Sequence, residues 1–231
     1  MLSKDLKMTI TNNNNAVLFD LDGTLLDTAN DLGAALNFVL KKHQLPTVAP
    51  QTFRPVASDG ALGLLTLGFK EQLDDFNYDQ LRKEFLYYYQ QHIALHTRLY
   101  AGVDDLLVRL EQENIPWGIV TNKPEGLTRL LLPHFEALSS CKVLVGGDTL
   151  AKRKPDPTPV LFACRQMKRL ATQCFYVGDA LRDIQSGNAA KMTTIVAHWG
   201  YIKSTDNCQD WQADYIHYCP TDLLELLFTN R

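Results

Sequence analysis

Ala16-Val17-Leu18-Phe19 runs directly into Asp20-Leu21-Asp22-Gly23-Thr24-Leu25, and this junction restricts the chain more than any other stretch. A short apolar run can be buried strand or a piece of helix. Val and Phe, and the abrupt polar ending with Gly marking a turn, favour strand. Side chains alternate along a strand, so Asp20 and Asp22 fall on one side if the extended geometry continues through Leu21. Two carboxylates facing the same way are costly unless a cation lies between them. The pattern points to metal-assisted chemistry, with one Asp free to act as nucleophile and the other as acid and base. Two plainer readings compete, an ordinary strand-to-turn junction and a calcium loop. The calcium pattern asks for Gly at the sixth position and an acid at the twelfth. Counting from Asp20, these are Leu25 and Asp31, which is a poor fit.

The chain of 231 residues is long enough for one large domain or two small ones, and 45% apolar residues are enough to bury a core. The net charge of −3, with no basic stripe or block of like charge, gives no case for nucleic acid or an anionic membrane surface as partner. No apolar run reaches membrane-spanning length. Cys141, Cys164, Cys174, Cys208 and Cys219 are odd in number and widely spaced. None forms Cys-x-x-Cys, so neither a disulfide framework nor a zinc site is indicated, and reduced thiols in the cytoplasm are expected. Residues 1–15 end in Thr11 and four asparagines without a signal-peptide core. They read as a loose leader, with Met8 as an alternative start. Oligomeric state has no signal in the sequence.

Helical periodicity covers Ala29 to Lys42 and is broken by Pro46 and Pro50. It resumes over Ala61 to Phe69, after the turn Ser58-Asp59-Gly60, and again from Tyr78 to Ala94. The aromatic stripe of that last helix, Phe85, Tyr88, Tyr89 and His92, reads as packing. No strand is expected between 28 and 98. From Tyr100 onward helices and strands alternate. Strands are expected at Ile115 to Val120, Lys142 to Val145, Cys174 to Val177, Thr193 to Ala197 and Tyr215 to Tyr218. Helices are expected at Val103 to Glu113, Glu125 to Phe135, Pro159 to Met167 and Thr221 to Phe228. This alternation predicts an α/β fold, a Rossmann-like parallel sheet covered by helices on both faces. Residues 16–27 and 99–231 form that core. The stretch 28–98 is too long for a plain loop and is expected to be a small helical cap inserted just after Asp22.

Ligands of open α/β sheets bind outside the carboxyl ends of the strands. Three of the expected strands end in unusual polar residues: Asp20 and Asp22, Thr121 and Asn122, and Asp179. Asp183, four residues beyond Asp179, reaches the same place if a helical turn begins there. Four carboxylates crowded together require a divalent cation, and hard oxygen ligands suit Mg²⁺. Lys154, in Lys-Pro-Asp-Pro, precedes a helix. On composition alone, with Lys152 and Arg153 beside it, it can equally be a solvated surface charge.

Phe-Asp-Leu-Asp-Gly-Thr-Leu, Val-Thr-Asn-Lys-Pro, Lys-Pro-Asp-Pro and Val-Gly-Asp-Ala-Leu-Arg-Asp resemble, in order, the four motifs of the haloacid dehalogenase superfamily. The resemblance runs from about Ala16 to Leu227 and includes a helical cap after the first motif. It implies that the first motif's strand is central, flanked by the strands of the second and fourth. It further implies Asp20 as the nucleophile that forms an aspartyl-phosphate, and Asp22 as the acid to the leaving group and then the base for water. Thr121 and the amide of Asn122 would hold phosphoryl oxygens, and Lys154 would keep Asp20 ionised and offset phosphoryl charge. Asp20, the carbonyl of Asp22 and Asp179 would be Mg²⁺ ligands, with Asp183 in support. An aspartate at 22 is absent from dehalogenases, which need no leaving-group acid, so the implied activity is phosphomonoester hydrolysis. Hexose-phosphate mutases share the first motif and remain a competitor, for which His43, His92 and His96 are candidates. A non-catalytic module on the same fold would be expected to lose a motif residue, and none is lost.

Within the superfamily, phosphoglycolate phosphatases share the cap type, Thr-Asn-Lys-Pro and the fourth motif. Tyr88 to Tyr100, Gly178 to Gly187, Gly200-Tyr201-Ile202 and Asp206 to Asp214 more closely resemble the N-acetylmuramic acid 6-phosphate phosphatases of peptidoglycan recycling. Asp59 departs from a Ser-Gly-Gly-Ala segment of that group. The implied partner is a small phosphate ester that also carries a carboxylate, and Arg54, Lys70, Lys123 and Arg182 are candidates to meet that group.

Overall fold

Strand β1, Ala16–Phe19, is buried on both faces, which accounts for its unbroken apolar run. The structure, a computed structural model, describes residues 15–228. The segment read as a leader lies outside those residues except for Asn15, which is buried at the foot of β1.

The chain leaves β1 through Asp20 and enters β2 (Leu26–Asp27), which pairs antiparallel with β3 (Arg98–Leu99). Between these two short strands lie helices α1 (Ala29–Lys42), α2 (Pro50–Phe53), α3 (Gly60–Phe69) and α4 (Tyr78–Gln91). The absence of any strand between 28 and 98 holds except at Arg98. Two-residue strands bury too little to leave a periodic signature, so the β2–β3 ribbon was not legible. Leu32, Leu36, Leu40, Leu65, Phe69, Leu81 and Phe85 form a hydrophobic cluster of the helical segment. This is the 3.6-residue periodicity of α1 and α4 realised as packing.

The remaining chain alternates as expected. It adds α5 (Val103–Gln112), β4 (Trp117–Val120), α6 (Glu125–Leu131), β5 (Leu144–Val145), α7 (Thr158–Gln166), β6 (Cys174–Gly178), α8 (Leu181–Ala189), β7 (Thr193–Ala197), β8 (Tyr215–His217) and α9 (Asp222–Phe228). The six-stranded sheet has the order β5-β4-β1-β6-β7-β8, and every pairing is parallel. β1 is therefore central, with β4 on one side and β6 on the other. Its register, Phe19 opposite both Ile119 and Val177, brings Asp20, Thr121 and Asp179 to adjacent strand ends. The chain runs from β1 outward through β4 to β5 and then returns across to β6 on the other side of β1, and this reversal of strand order is where open sheets form a crevice.

One face of the sheet packs Val17, Phe19, Trp117 and Val177 with Leu106, Leu110 and Leu223. The other packs Leu18, Val120 and Tyr176 with Val160 and Ala163. The five cysteines are all unpaired. No helix among the described residues is long and apolar enough to cross a membrane.

Candidate active site

The turn after β1 requires Gly23. Its φ of +86° is one that side-chain-bearing residues rarely adopt, and a Cβ there would lie 2.0 Å from the Asp179 carboxylate. The polar ends of β1 and β6 are thereby packed against each other.

Asp20 is 3% exposed, and its Oδ1 accepts from the Leu21 amide at 2.7 Å. The same oxygen lies 3.0 Å from Lys154 Nζ, which is also 2.8 Å from Asp183 Oδ1 and donates to the Val120 carbonyl at 2.8 Å. Lys154 is only 2% exposed, so its reading as a solvated surface charge is overturned. It precedes α7, and the Asn122 side-chain amide donates to its carbonyl at 3.0 Å. Asp183 lies in the first turn of α8, and its Oδ2 accepts from the Ala180 amide at 3.0 Å. Thr121 is buried, with its Oγ1 accepting from the Lys123 amide at 3.1 Å.

Asp20, Asp179 and Asp183 are all buried and offer carboxylate oxygens within 4.8 Å of one another. Burial, reinforced by Asp20 and Asp183, pushes the Asp179 carboxyl up to about 7. Asp183 is likewise raised, chiefly by burial, against the lowering effect of Lys154. Asp179 Oδ2 accepts from the Tyr201 amide at 2.9 Å and the Ser58 hydroxyl at 2.7 Å, while Oδ1 is buried with no partner among the described residues. An excess of buried carboxylate over cation, all-oxygen donors and an orphaned carboxylate oxygen fit a hard divalent ion such as Mg²⁺.

The expected crowd of four carboxylates is corrected to three. The Asp22 side chain turns away, with Oδ1 accepting from Thr28 Oγ1 at 2.6 Å and lying 3.1 Å from Lys123 Nζ. Lys123 is buried over the Tyr89 ring, 4.3 Å from its centroid. Burial is the largest influence and acts to lower its pKa, but Asp22 and Tyr89 together outweigh it and the net shift is upward. Asp31, the twelfth residue of the calcium reading, lies on α1 and accepts from the amides of His96 and Thr97. It ties down the exit of the helical segment, which removes the calcium loop.

A cleft of about 790 Å³ opens over these strand ends. Asp20, Asp22, Thr121, Asn122 and Lys154 line its floor, and Val56, Leu62, Leu67, Tyr78, Phe85 and Tyr89 of the helical segment line the other side. Lys123 and Arg182 border it, together with Arg82 and Arg153, which the sequence reading did not single out as candidates. Arg54 is paired instead with Asp27 at 2.7 Å, and Lys70 is exposed. Neither lines the cleft, and the same is true of His43, His92 and His96. His43 pairs with Glu84 and His92 stacks on Tyr88. Tyr89 packs as expected but also faces the cleft. Asp59 lines the cleft and pairs across to the core, with Lys203 at 2.7 Å and Arg182 at 3.4 Å. Tyr201 was legible only as part of a resembling segment, yet its hydroxyl accepts from the amides of Thr28 and Ala29 at 2.6 and 2.9 Å.

Residues 17–197 match the family model described as haloacid dehalogenase-like hydrolase. A phosphoglycolate phosphatase of Xanthomonas campestris pv. campestris is 46% identical over 210 residues, 91% of this chain and 95% of that protein. An N-acetylmuramic acid 6-phosphate phosphatase of Pseudomonas aeruginosa is 40% identical over 212 residues, 92% of this chain and 94% of that protein. The crystal structure of a predicted phosphoglycolate phosphatase from Haemophilus somnus superposes with a TM-score of 0.84 at 24% identity, covering 92% of this chain and 97% of that one; it shares the fold. With its strand-end carboxylates, buried lysine and relatives that are phosphatases, the chain belongs to the haloacid dehalogenase-like hydrolase family.

Proposed function

We propose that this enzyme hydrolyses phosphomonoesters with Mg²⁺, through an aspartyl-phosphate on Asp20. The observation that carries the reading is the buried Asp20–Lys154–Asp183 array beside Asp179, of which Asp20 and Lys154 line the floor of the cleft. An oxygen of Asp20 attacks phosphorus, and the bond from phosphorus to the ester oxygen breaks. Asp22 delivers a proton to the departing alcohol. Water then attacks the acyl phosphate, Asp22 takes its proton, the bond between phosphorus and Asp20 breaks, and phosphate leaves. Thr121 and the Asn122 amide hold phosphoryl oxygens, and Lys154, whose Nζ lies 3.0 Å from Asp20 Oδ1, offsets phosphoryl charge. Asp20, the Asp22 carbonyl and Asp179 would hold Mg²⁺ with Asp183 in support, and when bound the ion supplies charge neutralisation to the transferring phosphoryl group. A carboxylate nucleophile divides a very slow reaction into two easier steps.

Residues 28–98 act in this reading as a cap that supplies the groups facing the leaving alcohol, while the core reads phosphate. N-acetylmuramic acid 6-phosphate is the proposed substrate, placing the enzyme in peptidoglycan recycling in the cytoplasm. A cleft of about 790 Å³ with an aromatic and aliphatic wall suits a substituted hexose phosphate better than a two-carbon acid. Phosphoglycolate is the second reading, favoured by the name of the relative at 46% identity. Borohydride reduction during turnover tests the reaction type, since an acyl phosphate on Asp20 is reduced there to an alcohol. Phosphate release with no mark on Asp20 would overturn it.

A further inference from the structure

The turn of the helical segment that carries Ser58 and Asp59 touches the core through a set of contacts that the reaction just described does not use. Residues Arg54–Asp59 form a 3₁₀ turn that ends at Gly60. The Ser58 hydroxyl donates to Asp179 Oδ2 at 2.7 Å, and the same oxygen accepts from the Tyr201 amide at 2.9 Å. Both donors therefore fall on one oxygen of Asp179, and the other, Oδ1, is left buried without a partner among the described residues. The turn is gripped from both sides. Arg182 Nη2 donates to the Ser58 carbonyl at 2.6 Å and Nη1 reaches Asp59 at 3.4 Å. Lys203 Nζ lies 2.7 Å from the other Asp59 oxygen. Arg182 follows Asp179 by three residues, and Lys203 follows Tyr201 by two. The core segment that carries Asp179 and the one that donates to it are thus the same two that hold the turn.

We propose that Ser58 is a positioning residue for Asp179, so that seating of the helical segment and preparation of the cation site are one event. The proposal rests on the reading of Asp20, Asp179 and Asp183 as the Mg²⁺ site. A carboxylate with one oxygen pinned by two donors presents its free oxygen in a fixed direction, and groups that orient a metal ligand in this way typically change affinity 10–100-fold when removed. Because binding linkage is reciprocal, whatever factor the docked turn adds to Mg²⁺ affinity, Mg²⁺ adds to docking of the turn. Asp59, where the resembling segment has glycine, contributes the ionic half of the grip.

The test compares Ser58→Thr with Ser58→Val, which have the same shape and differ in the hydroxyl. A packing defect from the added bulk would affect both alike. Mg²⁺ affinity is measured by titration calorimetry without substrate, and amide exchange over residues 54–60 is followed with and without Mg²⁺. We expect Ser58→Thr to stay near the parent and Ser58→Val to bind Mg²⁺ at least ~10-fold more weakly. Mg²⁺ should slow exchange at 54–60 in the parent and not in Ser58→Val. Equal Mg²⁺ affinity for the two variants would overturn the role of Ser58 and leave the metal reading intact. A parent protein that binds no Mg²⁺ would overturn both.

Discussion

Lys154 Nζ lies 3.0 Å from Asp20 Oδ1, and neither side chain is more than 4% exposed. A buried ammonium between two carboxylates, Asp20 and Asp183 at 2.8 Å, offsets their charge in the absence of metal. Removing one partner of a buried pair leaves uncompensated charge and costs about 3–5 kcal/mol. Lys154→Met is therefore expected to lower unfolding free energy in chelator by about that amount, measured by urea denaturation, and to lose turnover as well. A variant as stable as the parent would show that the array is not coupled as described.

Asp20→Asn is expected to keep the fold, because the amide oxygen can still accept from the Leu21 amide, which now meets Asp20 Oδ1. An amide cannot attack phosphorus, so phosphate release should fall at least ~10³-fold. Near-normal release with an unchanged circular dichroism spectrum would remove Asp20 as nucleophile.

Mg²⁺ binding to the folded state alone should raise the melting temperature, by the equivalent of about 2.7 kcal/mol at 100 times Kd. Asp179→Ala should abolish that response. Asp183→Ala should weaken it less while destabilising the metal-free protein, because Lys154 and the Ala180 amide lose their acceptor. Full activity in excess chelator would contradict the metal reading.

The same cluster gives a pH dependence with a definite sign. Asp179 is raised to about 7 in the folded protein, whereas an unfolded aspartate titrates near ~3.9. Between these values the folded state holds a proton that the unfolded state has released, so metal-free stability falls as pH rises through this window. Asp183 is raised as well and acts in the same direction. Asp179→Asn should flatten the fall, so that in chelator it is more stable than the parent at pH 8, relative to their difference at pH 4. Parallel melting curves across that range would contradict the assignment.

Much of this site was legible because its residues sit at the ends of strongly apolar strands. Asp20, Thr121 and Asp179 each terminate a buried run, and parallel pairing around β1 alone brings them together. Lys154 was ambiguous by composition, since its burial arises from Asp20 and Asp183, distant in sequence. The contacts of Ser58, Asp59 and Tyr89 were not legible, because they cross between segments far apart in sequence and leave no local pattern. Asp22 was expected in the carboxylate cluster on strand alternation, but the turn at Gly23 begins too soon and Thr28 and Lys123 take its side chain.

Substrate choice is where the helical segment matters most, and kcat/KM for two esters is the most direct test. In the proposed reading, contacts between the cleft wall and the lactyl and acetamido groups would supply binding energy for use at the reacting phosphorus. N-acetylmuramic acid 6-phosphate is expected to exceed phosphoglycolate in kcat/KM by at least ~100-fold, about 2.7 kcal/mol, with N-acetylglucosamine 6-phosphate, which lacks the lactyl carboxylate, much poorer. Equal or faster turnover of phosphoglycolate would contradict the account.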